Sequence, residues 1–390
     1  MVDDALELGI GHAALNCDLG QLLALEPGPG DVRVEDGEGE LWLRAAPLER
    51  LDAQVRPLSE SGVIVTLILL ARATGDPEAD RVLLHPSYDP RAPNRLGAFN
   101  TVTPEGRRWL AAAARHLGAR YGREDRAHGR VWNYVVGNEV NSHWFWYNRG
   151  RASLEEVAAD YLEAVRLVHG AARAGLAHAR VYVSLEHHWS IRYPGGDERQ
   201  TFPGRPFLQE FARRAREGGD FDWHVAFHPY PENLFECRFW LDRTATPEPD
   251  SPRVTFKNLE VLAEFLARDE LRFGGVPRRV ILSEQGFHAA DREGGERDQA
   301  AAFAAAWQAV SERPGIDAFV LHRHVDHAHE GGLRLGLWRR REGSVCEPES
   351  RRPIYELFRA CDTESWAETS AFALPVLGIE RWEDWRSAFP

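Results

Sequence analysis

Two glutamates stand at the ends of two apolar runs that have the length and composition of buried β-strands. Segment 131–139 ends in Asn138-Glu139, and segment 279–284 ends in Ser283-Glu284. Two carboxylates that face each other across a cleft can cleave a glycosidic bond, one as acid/base and the other as nucleophile. Either glutamate alone is also compatible with a helix cap or an ion pair. The hypothesis therefore depends on the two strand ends meeting at one place.

A third strand-like run ends in His228-Pro229-Tyr230. A tyrosine hydroxyl can donate a hydrogen bond to a nucleophilic carboxylate, which keeps that carboxylate ionised and oriented. A neighbouring histidine can bind a sugar hydroxyl or the acid/base. The alternative is a turn without a role in chemistry.

Further polar and aromatic side chains follow the same strand ends or lie in a long loop. Amide and imidazole groups hydrogen-bond to sugar hydroxyls, and aromatic faces stack on the apolar faces of pyranose rings. For each of these side chains, core packing or a satisfied turn is the alternative. The predicted substrate-binding set is Asn16, Asn100, Asn138, His143, Trp144, Trp146, His187, His188, Trp189, His228, Tyr230 and His322.

A histidine-rich run, His322 to His329, raises a metal-dependent alternative because imidazole and carboxylate groups at short spacing can hold zinc. We expect His322 to line the pocket and the rest to form a polar loop, with no metal and no cofactor. Serine chemistry has no support, since the Gly-x-Ser-x-Gly motif is absent.

The elements that must position these residues alternate between strand-like and helical runs. The strand candidates are short and nearly continuous in apolar character, as buried parallel strands are. They are His12–Cys17, Val63–Leu70, Val131–Val136, Arg180–Leu185, Trp223–Phe227, Arg279–Leu282 and Ile316–Leu321. The helix candidates begin at Thr103-Pro104 and at the capping box Ser153–Glu156, and cover Pro206–Arg216, Lys257–Arg268, Asp298–Ser311 and Pro353–Ala360.

This alternation predicts an α/β fold, a (β/α)8 TIM barrel, because the candidate catalytic residues all follow strands and no glycine-rich loop follows the first one. Only seven strands are found, and Asp3–Gly9 has the pattern of a helix end. The first strand is therefore missing or supplied by another segment. Either the gene start lies upstream, or a segment such as Phe372–Ile379 closes the barrel.

The predicted domain organisation is one catalytic barrel, residues 1–361, with a C-terminal extension, 362–390, packed on it. A hairpin near 32–43, with its turn at Asp36-Gly37, and a long irregular loop, 74–101, interrupt the barrel pattern.

Composition excludes several function classes. The 390 residues carry a formal net charge of −13, which disfavours nucleic-acid binding and attachment to a membrane surface. No run of 18 apolar residues occurs, and the acidic N-terminus is unlike a signal peptide. The four cysteines, at 17, 237, 346 and 361, are far apart and suit free thiols in a reducing compartment. These features predict a cytoplasmic protein, or a secreted one if the native start lies upstream.

The motifs resemble those of clan A retaining TIM-barrel glycoside hydrolases. That clan is similar in placing Asn-Glu after the fourth strand, a His/Tyr pair around the sixth and Glu after the seventh. Here the matching positions are Asn138-Glu139, His228 with Tyr230, and Glu284. The chain departs from the clan in carrying His322 where a tryptophan is common.

A closer resemblance, over nearly the whole chain, is to the bacterial domain-of-unknown-function family numbered 5722. It rests on the Asn-Glu block 137–148 and on segments 98–101, 283–287 and 352–355.

These features together predict a retaining glycoside hydrolase of β-linked glycosides, with Glu139 as acid/base, Glu284 as nucleophile and Asn138 on the sugar 2-hydroxyl. The alternatives are a carbohydrate-binding protein on a degenerate barrel and a metal-dependent hydrolase. The sugar, its linkage, endo or exo action and the oligomeric state are not specified by the sequence.

Overall fold

The computed structural model describes residues 1–35, 39–311 and 313–389. Its centre is a parallel sheet in which seven strands follow one another in sequence order. They lie within three residues of the predicted bounds. The strands are β1 (His12–Asp18), β2 (Ile64–Arg72), β3 (Asn133–Val136), β4 (Arg180–Glu186), β5 (Trp223–His228), β6 (Val280–Gln285) and β7 (Ile316–Leu321).

Helices follow the strands along the chain and cover the outer face of the sheet. Eight of them are α1 (Val2–Glu7), α2 (Ala45–Glu60), α3 (Pro104–Gly122), α4 (Leu154–Gly175), α5 (Gly204–Glu217), α6 (Leu259–Leu266), α7 (Gly295–Ser311) and α8 (Pro353–Ala360). Two predicted helix starts are confirmed: the Thr103 side chain accepts from the Gly106 amide, and Ser153 with Glu156 forms a complete capping box. No helix among the described residues is long and apolar enough to cross a membrane.

The sheet curls into a barrel. Side chains from all seven strands converge on one interior cluster, which is separate from the larger core between the sheet and the helices. The cluster contains Ala14, Ile68, Leu70, Val135, Tyr182, Ala226, Ile281, Ala318 and Val320. At the lower rim Asp317 of β7 pairs with Arg180 of β4, across the sheet. The predicted TIM-barrel architecture is therefore confirmed.

The barrel has a gap between β1 and β7, which approach each other without pairing in the described ranges. Within the described ranges no strand ladder joins β1 to β7. The side chains of β1 and β7 are mostly half-buried, whereas those of β3 and β5 are all buried, as are those of β4 after Arg180. A cavity of about 490 Å³ lies here, lined by both faces of the two flanking strands and by α1. The sequence-based expectation of a missing strand agrees with this gap.

The suggestion that Phe372–Ile379 closes the barrel is wrong. Its centre is a helix, Ala373–Leu377, that buries Ala373 and Leu377 against the outer helices. Gly378 adopts a left-handed conformation (φ 73°) and ends that helix. The apolar residues thus serve a helix face, which composition alone does not distinguish from a short strand.

The insertions are more regular than their sequences suggest. Strands Val32–Glu35 and Glu40–Leu43 pair antiparallel, while the Asp36-Gly37 turn predicted between them lies outside the described residues. Loop 74–101 contains a helix, Pro77–Leu83, and a two-residue strand, Leu96–Gly97. The remaining short helices are Leu19–Leu22, His143–Trp146, Trp366–Ser370 and Trp385–Ala388. All four cysteines are unpaired.

Asp4 of α1 anchors the N-terminal helix to residues that follow β7 in the chain. Its carboxylate accepts from Trp338 Nε1 (2.9 Å) and the Tyr355 hydroxyl (2.9 Å), and lies 2.6 Å from His324 Nε2. Although partial burial opposes it, these hydrogen bonds lower the pKa of Asp4. The stabilisation is therefore present above the unfolded-state pKa and is lost as the pH falls through the folded-state pKa.

We expect Asp4→Asn to lower the free energy of unfolding by about 2 kcal/mol at neutral pH, since charge-assisted hydrogen bonds contribute roughly 1.5–3 kcal/mol. Urea denaturation at several pH values measures this difference, which should shrink below about pH 4. Asp3→Asn is the matched control, because Asp3 is exposed on the same helix. Equal effects of the two substitutions would contradict the anchoring role.

Candidate active site

Glu139 is held at the mouth of the barrel by an unusual turn after β3. Both Gly137 (φ 70°) and Glu139 (φ 41°) have left-handed backbone conformations. A side chain on residue 137 would meet the Tyr147 ring at 2.6 Å, so glycine is required there. The Glu139 amide donates to Ser184 Oγ of β4 (2.9 Å). Non-glycine residues in this conformation are strained and cluster at functional sites.

Glu284 reaches the same mouth from β6 by an irregularity in the strand. Strict alternation would send Ser283 and Glu284 to opposite faces of the sheet. Between Leu282 and Gln285 the pairing of β6 with β7 shifts register, so that Ser283 and Glu284 together stand opposite a single residue of β7. Such irregularities re-aim side chains near active sites. Both side chains consequently contact residues of the β5 end.

His228, at the end of β5, links the two glutamates. Its Nδ1 lies 2.8 Å from Glu139 Oε1, and its Nε2 lies 3.0 Å from Ser283 Oγ. The Tyr230 hydroxyl donates to Glu284 Oε1 (3.3 Å). A carboxylate oxygen of each glutamate and a ring nitrogen of His228 lie within 4.8 Å of one another. Four of the predicted residues therefore converge on one point.

Burial and mutual charge shape the protonation of this group. Burial, together with the charges of Glu284 and Glu186, raises the pKa of Glu139 against the opposing hydrogen bond from His228. Burial opposes protonation of His228, but its hydrogen bond to Glu139 and the charge of Glu284 raise its pKa. Burial and the charge of Glu284 raise the pKa of Tyr230 well above its ordinary value, which keeps the phenol a donor. The environment of Glu139 thus favours its protonated form, as a general acid requires.

A third carboxylate, Glu186 at the end of β4, supports the turn that carries Glu139. Glu186 Oε1 accepts from Asn141 Nδ2 (2.7 Å) and Ser142 Oγ (2.8 Å). Its Oε2 accepts from the His188 amide and lies 2.6 Å from His188 Nδ1. Although burial raises it, the charge and hydrogen bonds of His188 lower the pKa of Glu186 to about 2. Its acceptor positions are filled by protein donors.

The other side of the mouth carries His322 and Asn16. His322 Nε2 lies 3.2 Å from Glu330 Oε1, and Arg323 pairs with the same carboxylate. Although burial opposes it, the hydrogen bond and charge of His322 lower the pKa of Glu330 to about 2. Asn16 is exposed and lines the gap cavity together with Glu284 and His322. These side chains are within reach of a ligand that enters from the β1–β7 side.

The structure does not bring every predicted residue to the mouth. The Asn100 amide donates to Thr103 Oγ1 and to the Arg81 carbonyl, beneath the start of α3. Trp189 is fully buried and donates its indole N–H to the Pro249 carbonyl. Four other predicted residues are buried or half-buried to different degrees. His143 stacks on Phe202 inside the protein, Trp144 is buried, Trp146 is half-buried above the barrel interior, and Asn138 is half-buried beside Glu139.

Several residues near the site are missing from the predicted set: Ser184, Tyr193, Ser283 and Glu330. Ser184 and Glu186 share the inward face of β4 with Tyr182, at the two-residue spacing of a strand, so periodicity offers a signal for them. Tyr193 and Glu330 stand in irregular loops, where no sequence pattern marks them.

Metal-ligand geometry was the basis of one alternative. Among the described residues, two groups of three possible ligands converge: Glu139, His228 and Glu284, and Glu186, His187 and His188. The histidine-rich run is not among them, because His322 turns to Glu330 and His324 to Asp4. In the second group the carboxylate is already saturated by four protein donors. Neither group of possible ligands contains a residue of the run 322–329, so the geometry does not favour a metal centre there.

The sequence model of a family described as "Family of unknown function (DUF5722)" matches residues 1–385. No curated protein sequence matches the chain.

Solved structures with a similar fold include glycoside hydrolases. A family 39 glycoside hydrolase from Bacteroides cellulosilyticus WH2 has a TM-score of 0.55 at 14% identity, over 92% of this chain and 59% of that one. A β-glucosidase from Pyrococcus furiosus has a TM-score of 0.55 at 16% identity, over 97% and 86%. A family 1 β-glucosidase from Thermotoga maritima has a TM-score of 0.57 at 12% identity, over 95% and 85%. The chain thus spans under two thirds of the first of these proteins.

Proposed function

Since the protein belongs to DUF5722, a family of unknown function, its activity has to be inferred from its own residues, and we propose that it is a retaining glycoside hydrolase. The proposal goes beyond the shared barrel, because one fold carries many functions. Its substrate is a β-linked glycoside, and its reaction is a double displacement with two glutamates.

The observation that carries the proposal is the spacing of the two carboxylates. Oxygens of Glu139 and Glu284 lie within 4.8 Å of each other at the mouth of the barrel. Retaining enzymes hold their carboxyl groups roughly 5–5.5 Å apart, whereas inverting enzymes leave about 6.5–9.5 Å for a water molecule. The narrow spacing supports attack by a carboxylate over attack by water.

In the first step Glu284 attacks the anomeric carbon while Glu139 gives its proton to the departing glycosidic oxygen. A glycosyl ester on Glu284 forms, and the bond to the leaving group breaks. In the second step Glu139 takes a proton from water, which attacks the anomeric carbon and releases Glu284. Two inversions return the β-configuration.

Neighbouring side chains give the two carboxyl groups different environments, which suit different roles in the reaction. The raised pKa of Glu139 keeps the proton that the first step requires. The Tyr230 phenol donates to Glu284 Oε1 and orients it toward the sugar. His228, fixed by Ser283, holds Glu139 in place. Asn138 precedes the acid/base and binds the sugar 2-hydroxyl, a contact that strengthens in the transition state.

The test is turnover of a panel of aryl β-glycosides and β-linked oligosaccharides, with the first-formed anomer followed by proton NMR. We expect one sugar to react and the β-anomer to appear before mutarotation. An α-anomer formed first would contradict the retaining mechanism. Tight binding of a glycan without turnover would instead establish the carbohydrate-binding alternative. Zinc content and chelator sensitivity of the active protein test the metal-dependent one.

A further inference from the structure

An aromatic surface borders the Glu139 side of the mouth. Tyr193, in the loop after β4, lies against Phe145 with ring centroids 4.7 Å apart and a tilt of 53°. Both rings are partly exposed. Their backbones are fixed, since Asn94 Nδ2 donates to the Phe145 carbonyl and the Gly196 amide donates to the Tyr193 carbonyl. The surface is therefore pre-formed.

Contacts through His188 and Glu186 connect this surface to the turn that carries Glu139. The Tyr193 ring meets His188 edge-on at 5.4 Å, and His188 rests on Glu186 beneath the Glu139 turn. Burial and the charges of Glu139 and Glu186 raise the pKa of Tyr193, in keeping with these contacts. Tyr193 thus lies on the acid/base side.

Polar atoms without partners surround the same surface. His188 Nε2 and His187 Nδ1 are buried and have no hydrogen-bond partner in the part of the chain that the structure describes. The Tyr193 hydroxyl makes no hydrogen bond to any residue in the ranges 1–35, 39–311 and 313–389. Buried polar atoms in native proteins are nearly always paired, so unpaired ones beside a cleft point to a ligand. A ligand that suits both features has an apolar face and hydroxyl groups at its edge, as a pyranose has.

We propose that Tyr193, Phe145 and His188 form the subsite for the leaving group, and that this leaving group is itself a sugar. The substrate is then a β-linked oligosaccharide in preference to a glycoside with an apolar aglycone. The inference rests on the proposed function, because Glu139 as the acid defines the leaving-group side. The sugar stacks on the tyrosine ring and its hydroxyls bond to the unpaired imidazole nitrogens.

The experiment compares two substrates of the sugar that the aryl glycoside panel identifies. One is its β-glycosyl fluoride, whose single-atom leaving group does not occupy this subsite. The other is its set of β-1,2-, β-1,3-, β-1,4- and β-1,6-linked disaccharides. We expect Tyr193→Ala to lower the kcat/KM ratio of the best disaccharide to the fluoride about 10-fold or more. Tyr193→Phe, which keeps the ring, should change this ratio less than about threefold.

Transfer to an added acceptor sugar gives a second readout, because the acceptor occupies the subsite that the leaving group vacates. Tyr193→Ala should reduce transfer relative to hydrolysis of the fluoride. Phe273→Ala, a partly exposed ring between α6 and β6 at the other end of the barrel, is the control. A folded Tyr193→Ala protein with the wild-type ratio and transfer would overturn the subsite alone. Wild-type protein that hydrolyses neither substrate would overturn the proposed function and this subsite with it.

Discussion

Replacement of Glu284 by glutamine is expected to lower kcat at least about 10⁴-fold on the best aryl β-glycoside, because the amide has the shape of the carboxylate without its charge and cannot form the glycosyl ester. Tyr230 can still hydrogen-bond to the side-chain oxygen, so the pocket should keep its shape and its affinity for sugar. Steady-state kinetics and sugar binding to the same variant measure the two effects separately.

Glu293→Gln is the matched control for this substitution. It makes the same change on an exposed residue that follows the same strand, and it should leave kcat within about twofold.

Chemical rescue identifies the face that Glu284 occupies. With Glu284→Gly, azide should attack the anomeric carbon from the vacated side and release the leaving group, which gives the α-glycosyl azide. Loss of less than about 100-fold in Glu284→Gln, or a β-azide from Glu284→Gly, would contradict the nucleophile assignment.

Replacement of Glu139 by glutamine should reduce activity by an amount that depends on the leaving group. General acid catalysis contributes about 10²–10⁴-fold, so disaccharides and other poor leaving groups should lose that factor. A dinitrophenyl glycoside needs no proton on its leaving oxygen, so its first step should be affected much less. A loss that is independent of leaving-group pKa would contradict the acid/base role.

The pH profile provides a second test of Glu139. Because burial raises the pKa of Glu139, its protonated form extends to higher pH than for an ordinary glutamate. We expect kcat/KM to fall as the pH rises further and Glu139 and His228 lose their protons as an interacting pair. Glu139→Gln should flatten this alkaline limb. Azide added to Glu139→Ala should restore turnover and yield the β-glycosyl azide, since Glu284 still forms the ester from the other face.

The fold could be predicted well because its signals are local. Strand runs such as Val63–Leu70 are nearly continuous in apolar character, and caps such as Ser153 with Glu156 specify helix starts within four residues. The segment Phe372–Ile379 shows the limit of such signals. An apolar stretch of eight residues fits a strand or a helix, and only its packing partners select between them.

The candidate site could be predicted in part for a related reason. Glu139, Glu284, His228 and Tyr230 were found because parallel strands in a barrel must bring their carboxyl ends to one mouth. Trp189 and Asn100 have the residue types that bind sugars, but they are buried with partners of their own. Residue type gives no measure of burial.

The sequence by itself determined the order of strands and helices and the two glutamates at strand ends, since these depend on periodicity and short-range spacing. Only the tertiary structure decided which neighbours tune them. Ser184 holds the Glu139 amide, and a register shift in β6 turns both Ser283 and Glu284 toward His228. Tyr193 meets His188 across an irregular loop. Such contacts join residues distant in the chain, and they arise from how the strands curl and the loops pack, which no local pattern encodes.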